Sequence, residues 1–152
     1  MTATEPATAD ITARIDRIEA VEAIRRVVHR YFHTFDKRDA SGFAAIWTPD
    51  AVWSAGPGHQ VTGRDEIRQA AEAMWGQFGA THHWSSNALI DVDGEAATAV
   101  VDLHAFAQGP DGDWTQTAAT YRDEFRRTSG RWLLARRETD VHHTFILPEP
   151  IS

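Results

Sequence analysis

An α+β fold, with one long and two shorter helices packed on one face of a curved antiparallel sheet, is predicted by three features of this chain. Apolar residues recur at Ile11, Ile15, Ile18, Val21, Ile24, Val28, Tyr31 and Phe35, steps of three and four that mark one long amphipathic helix. Two shorter helical patterns follow before residue 80. Beyond residue 80 strand signals succeed one another, separated by glycine-bearing spacers. Helices first and an antiparallel sheet afterwards is the element order of an α+β layout, with the helices on one face of the sheet.

The long helix stops at DKRDASG, where Asp39 or Ser41 can cap the next helix. That second helix runs roughly from Ser41 to Trp47 and ends before TPD, because proline and the residue ahead of it resist helix. AVWSAG reads as a short strand and GPGHQVTG as a loop. Thr62 or Gly63 opens a third helix, roughly Arg64 to Trp75, with Ile67, Ala71, Met74 and Trp75 apolar. Strands are predicted over Thr81–Val92, Ala96–Ala107, Trp114–Arg127 and Arg131–Thr139. The spacers VDGEA, QGPDGD and TSG each join glycine to an acidic or hydroxyl neighbour, the chemistry of tight turns. An antiparallel meander follows.

The bulk composition narrows the function classes. At 152 residues the chain has the size of one domain. That length buries a sizeable core without disulfides or a structural metal. It contains no cysteine, which removes disulfide, thiolate and cysteine–zinc chemistry and favours a cytoplasmic setting. A net charge of -7 argues against nucleic acid, whose binding rests on phosphate neutralisation. The stretch YRDEFRRTSGRWLLARR is locally basic, but Asp123 and Glu124 within it suit a charged outer sheet face. MTATEPATAD lacks the basic and apolar regions of a secretory signal, and no apolar run reaches the length of a membrane span. Residues 1–10 read as a flexible lead-in, 11–140 as a single domain, and 141–152 as a tail. Phe145, Ile146 and Leu147 in that tail imply that it covers a pocket mouth or a partner subunit, since large apolar residues seldom share solvent.

The adjacent histidines of THHWSSNALIDVDG pose the central question. Strict alternation sets His83, Ser85, Asn87 and Leu89 on one face of a strand, and His82, Trp84, Ser86, Ala88, Ile90 and Val92 on the other. The second set becomes the more apolar toward its end, which favours His82 inward; a bulge within WSSN would let His83 face in instead. The residue pattern leaves both open. Asp36, one residue past Phe35, can lean toward the core, although a plain helix-end aspartate beside Lys37 and Arg38 has the same signature.

The phrases YFHTFDKRDASGFAAIWTPDAVW, THHWSSNALIDVDGEAATA and YRDEFRRTSGRWLLARRE, in this order of elements, resemble the SnoaL-like branch of the NTF2-like superfamily. The resemblance spans about residues 15–140. It implies a cone, a bent sheet wrapped around the long helix and enclosing one pocket. His83 begins an H-x-x-x-N spacing with Asn87 that resembles the segment carrying the catalytic histidine in the family's dehydratases and dehydrochlorinases. An aspartate matching Asp36 orients that histidine in those members. The resemblance therefore implies that His83 faces in as a base held by Asp36, with no metal or cofactor. It does not fix an activity, because one fold carries many chemistries.

Further candidates line the expected pocket: Tyr31, Trp47, Trp53, Trp84, His104 and Tyr121. By resemblance to scytalone dehydratases, Tyr31 or Tyr121 would polarise a substrate carbonyl; a buried tyrosine more often satisfies its hydroxyl locally. His104 shares a strand face with Asp102 and Phe106. One of Arg136 and Arg137 must point inward if the last strand alternates, and Arg136 is the candidate to face a leaving anion. Eight histidines raise the question of metal, yet no H-E-x-x-H or H-x-H spacing is present, and none is expected. The expectation is a cofactor-independent lyase or isomerase of the dehydratase type, acting on a small hydrophobic, cyclic substrate. Its alternative is a non-catalytic module binding a small molecule in the same cone. Either form implies a homo-oligomer, a dimer through the outer sheet face, with no nucleic-acid or membrane partner.

Overall fold

A computed structural model of the chain describes residues 5–56 and 58–147, with side chains from residue 10 onward. Helix α1 (Glu5–Asp36) starts within the segment read as a lead-in, so the helix is longer than its apolar stripe suggests. Its first turns are solvated: Ile11, Ile15 and Ile18 are exposed, whereas Ile24, Val28, Tyr31, Phe32 and Phe35 are buried. Helix α2 (Ala40–Ala44) is shorter than predicted. Asp39 caps it, its carboxylate accepting from the Gly42 N–H at 2.9 Å. Trp47, expected at its end, begins strand β1 (Trp47–Ser54). The expected loop after it contains strand β2 (Gln60–Thr62). Helix α3 (Arg64–Trp75) has its predicted limits and carries Asp65 and Glu66 in its first turn, where they complement the helix dipole.

The strand predicted over Thr81–Val92 is two strands, β3 (Thr81–Trp84) and β4 (Leu89–Asp93). Three long strands follow: β5 (Ala96–Gln108), β6 (Trp114–Thr128) and β7 (Arg131–Ile146). The last runs seven residues past its predicted end and takes in the first half of the expected tail, because this stretch keeps pairing with β6. Residues 148–152 lie outside the described residues. The β6–β7 turn holds Ser129 at φ 50° and Gly130 at φ 75°. Positive φ at both central residues is the hairpin turn whose twist matches its strands.

The sheet has seven strands in the order β2–β1–β7–β6–β5, with β3 and β4 sharing the far edge of β5. The β5–β6–β7 meander is antiparallel, but β1 pairs with β7 in parallel, which the meander reading did not include. The curled sheet closes on α1. Its inner face supplies Ala97, Ala99, Val101, Leu103, Tyr121, Phe125 and Leu134, and the helices supply Phe43, Ile67, Ala71 and Trp75. A buried aromatic side chain of this kind contributes about 1.5–3 kcal/mol.

Three irregularities set which residues face inward. Between β3 and β4, residues 85–88 span the three β5 residues 101–103, since Trp84 pairs with His104 and Leu89 with Val100. One extra residue reverses the alternation, so His83 and Ile90 share the inner face. In β7, Ala135 is extra opposite Glu124 and Phe125, and His142 is extra opposite Ala118 and Ala119. Deleting Ser86 would equalise the first count and force either His83 or the Ile90–Val92 pair onto the wrong face. The expected outcome is a fall in Tm of at least about 4 °C, read by thermal denaturation; an unchanged Tm would contradict this register.

Candidate active site

Asp36 ends α1 beside β3, and its carboxylate gathers three donors from that one strand. Oδ1 accepts from the Thr81 hydroxyl at 3.0 Å and lies 2.6 Å from His83 Nδ1, while Oδ2 accepts from the His83 backbone N–H at 2.8 Å. Burial by itself would raise the Asp36 carboxyl. The His83 ring, the His83 N–H and the Thr81 hydroxyl together outweigh it and hold the group below its ordinary value. An ionised carboxylate only accepts, so His83 Nδ1 carries the proton in this pair and Nε2 is the lone-pair nitrogen. Phe32 stacks on the imidazole at 5.8 Å and Phe35 meets it edge-on at 5.5 Å, which fixes the ring plane.

His83 separates two hollows. Asp36 borders the outer one, about 400 Å³, together with His29, His33 and Lys37. The inner one is a cavity of about 240 Å³, bordered by His83 but not by Asp36. With Nδ1 held by Asp36, Nε2 is the ring nitrogen the pair leaves available. Tyr31, Phe35, Trp53, Leu103, Tyr121 and Thr139 are among its walls. Tyr31 and Tyr121 meet edge to face at 5.7 Å. Burial pushes both phenols up, Tyr121 strongly, so both stay neutral and able to donate.

Behind the tyrosines lies a buried ion pair. Arg137 Nε donates to Asp123 Oδ1 at 2.7 Å and Nη2 to Oδ2 at 2.5 Å, with both side chains fully buried. Its guanidinium carbon sits 4.0 Å from the ring centres of both Tyr31 and Tyr121. Burial disfavours the charge, and Asp123 more than compensates, raising the arginine above its usual value. Arg137 Nη1 and the Trp53 Nε1 donor have no hydrogen-bond partner among the described residues.

The structure brings together Asp36, His83, Tyr31, Tyr121 and Trp53 of the predicted site. Trp47 is buried in the core at 6.1 Å from Tyr31 and does not border the cavity. Trp84, Asn87 and His104 face away from it, on the outer side of the sheet: alternation sends Trp84 and His104 opposite to His83 and Leu103, and the extra residue between β3 and β4 turns Asn87 out. Arg136 also points outward and pairs with Glu138; the extra residue Ala135 gives the inward position to Arg137. Thr81 and Thr139 were missed as site residues; Asp123, expected on the outer face, is buried, and the inward arginine is Arg137 rather than Arg136. An inward arginine was signalled by alternation, but its number depends on a bulge. Among the described residues no group of three or more His, Asp or Glu side chains is placed to hold a metal ion, and no helix is long and apolar enough to cross a membrane.

The chain belongs to the SnoaL-like domain family, whose model matches residues 16–138. It is similar to the gamma-hexachlorocyclohexane dehydrochlorinase of Sphingobium indicum, 25% identical over 132 residues that cover 85% of each chain. Among solved structures, a hexachlorocyclohexane dehydrochlorinase of type 2 superposes with a TM-score of 0.85 at 21% identity, over 90% of this chain and 95% of that one. A scytalone dehydratase-like protein from Novosphingobium aromaticivorans superposes with a TM-score of 0.80 at 24% identity, over 88% and 91% of the two chains. The fold expected from the sequence is the fold found. Membership of this family, beside dehydrochlorinase and dehydratase neighbours, supports a lyase-type activity.

Two stability measurements follow from this geometry. Asp123→Asn strands a buried cation and should cost about 3–5 kcal/mol, whereas the double change Asp123→Leu with Arg137→Met should cost less; urea unfolding of both variants checks the order. Asp36→Asn should cost about 1–3 kcal/mol at pH 7. Because the folded carboxyl titrates below its unfolded value, that advantage is complete above the ordinary aspartate range, about pH 3.9, and fades as pH falls through the lower folded value. An equal gap between wild type and Asp36→Asn at pH 7 and pH 2 would contradict the assignment.

Proposed function

We propose that the protein is a cofactor-independent lyase or isomerase in which His83, oriented by Asp36, takes a proton from carbon. The observation that carries this reading is the 2.6 Å contact between Asp36 Oδ1 and His83 Nδ1, made by a histidine that borders a cavity of about 240 Å³. The carboxylate fixes the tautomer that leaves Nε2 free, and it stabilises the imidazolium that forms when Nε2 accepts the proton. Removing a proton next to a carbonyl or a leaving group places negative charge on the substrate. Tyr31 and Tyr121, neutral phenols on the same cavity, are donors for that charge. The buried Arg137 stacked on them adds positive potential without titrating. Elimination or double-bond migration then needs only these groups.

The cavity volume and its largely apolar walls suit a monocyclic substrate with one polar end. Incubation with cyclohexanone in D₂O, followed by NMR, reads proton abstraction from carbon directly. Wild type should accelerate exchange of the protons next to the carbonyl. His83→Ala should lose roughly 10²–10⁴-fold of that rate, and Asp36→Asn should lose activity with its circular dichroism unchanged. Exchange that persists at full rate in both variants would overturn the proposal.

A further inference from the structure

On the outer face of the sheet lies a groove of about 450 Å³ that the dyad does not use. Trp84, Asn87, Asp102, His104, Ala118 and His142 border it. A hydrogen-bonded chain crosses this groove from segment to segment. Asn87 Nδ2 donates to Asp102 Oδ2 at 3.2 Å, the Thr120 hydroxyl donates to Asp102 Oδ1 at 2.6 Å, and Thr120 Oγ1 lies 2.8 Å from His142 Nε2. The extra residue between β3 and β4 brings Asn87 to this chain, and the extra residue in β7 is His142 itself.

The chemistry of the chain is directional. A carboxylate only accepts, and Thr120 has one proton, which goes to Asp102. The contact with His142 is therefore one in which the imidazole N–H donates. In the neutral ring that leaves Nδ1 as a bare acceptor. Asp102 is itself exposed, and each of its oxygens keeps lone-pair capacity beyond the single donor it has. Asp102 and the neutral His142 ring thus each present an acceptor.

Charge and shape agree on the complement. Among the described residues no lysine or arginine borders the groove. Asp140, the register partner of Thr120, adds a second carboxylate on the same face, and the nearest arginine in register, Arg122, lies two residues along β6 from Thr120. Trp84 leaves 59% of its surface exposed at the rim. A carboxylate, a bare imidazole nitrogen and an open indole together select an organic cation with N–H donors. We infer that this groove binds a protonated amine, its ammonium on Asp102 and His142 Nδ1 and its organic part against Trp84. The site is separate from the His83 cavity and does not depend on its chemistry.

The test is an NMR titration of the full chain with benzylammonium at pH 7, with benzyl alcohol as the neutral counterpart of the same shape. The resonances followed are the Trp84 indole N–H and the Asn87 side-chain amide. Benzylammonium should shift both along a saturable curve with a Kd on the order of millimolar. Benzyl alcohol should bind at least about fivefold more weakly, and Asp102→Asn and Trp84→Leu should each weaken the amine by roughly five- to tenfold. The two variants serve together, so a folding defect in one leaves the other and the alcohol comparison to decide. Shifts that do not saturate, an alcohol that binds as well as the amine, or amine binding unchanged by the substitutions would overturn the inference.

Discussion

The carboxylate of Asp36 is the constraint on which this structure turns. It sits where α1 ends and must be satisfied away from bulk water, and all three of its donors come from β3, through Thr81 and His83. One side chain thus fastens the long helix to the edge of the sheet and also orients the imidazole. Fold and chemistry share the contact. A partly buried carboxylate without such donors would be costly, so the helix end, the strand and the ring orientation are determined together.

A second buried charge works from the opposite wall. Arg137 and Asp123 lie out of water between the sheet and the two tyrosines, and a pair of this kind rarely gains much stability over an apolar replacement. Its place behind Tyr31 and Tyr121 gives it an electrostatic effect instead. It fixes a positive charge against two phenols that burial keeps neutral. The aromatic cluster around Tyr31, including Phe35, Phe43, Trp47 and Trp53, holds that geometry with little freedom to relax.

Inner and outer faces of the sheet carry different chemistry, and the division is made by single extra residues. Where residues 85–88 span 101–103, His83 turns in and Asn87 turns out. Where Ala135 and His142 interrupt β7, Arg137 faces the core and Val141 the cavity, while Arg136 and His142 lie on the outer side. Bulges of this kind add the twist a closed, curved sheet needs. The same feature that bends the sheet decides which functional groups meet.

What the sequence determined by itself was periodic or local. Apolar spacing marked α1 and α3, glycine-bearing turns marked the β4–β7 hairpins, and alternation showed that one arginine of the last strand had to face inward. The phrases around Asp36 and His83, read through the family resemblance, pointed to the same two residues that the structure joins. Tertiary structure alone decided the rest. Without a bulge, the Ser129–Gly130 turn would pair Asp123 with Arg136; the extra Ala135 gives it Arg137 instead. Trp84, Asn87 and His104 carry residue types suited to a pocket, yet they lie on the far side of the sheet. The parallel pairing of β1 with β7 joins segments far apart in the chain, and the closing of residue 36 onto residue 83 does the same. Such contacts depend on register and curvature set by the packed whole, which no local pattern encodes.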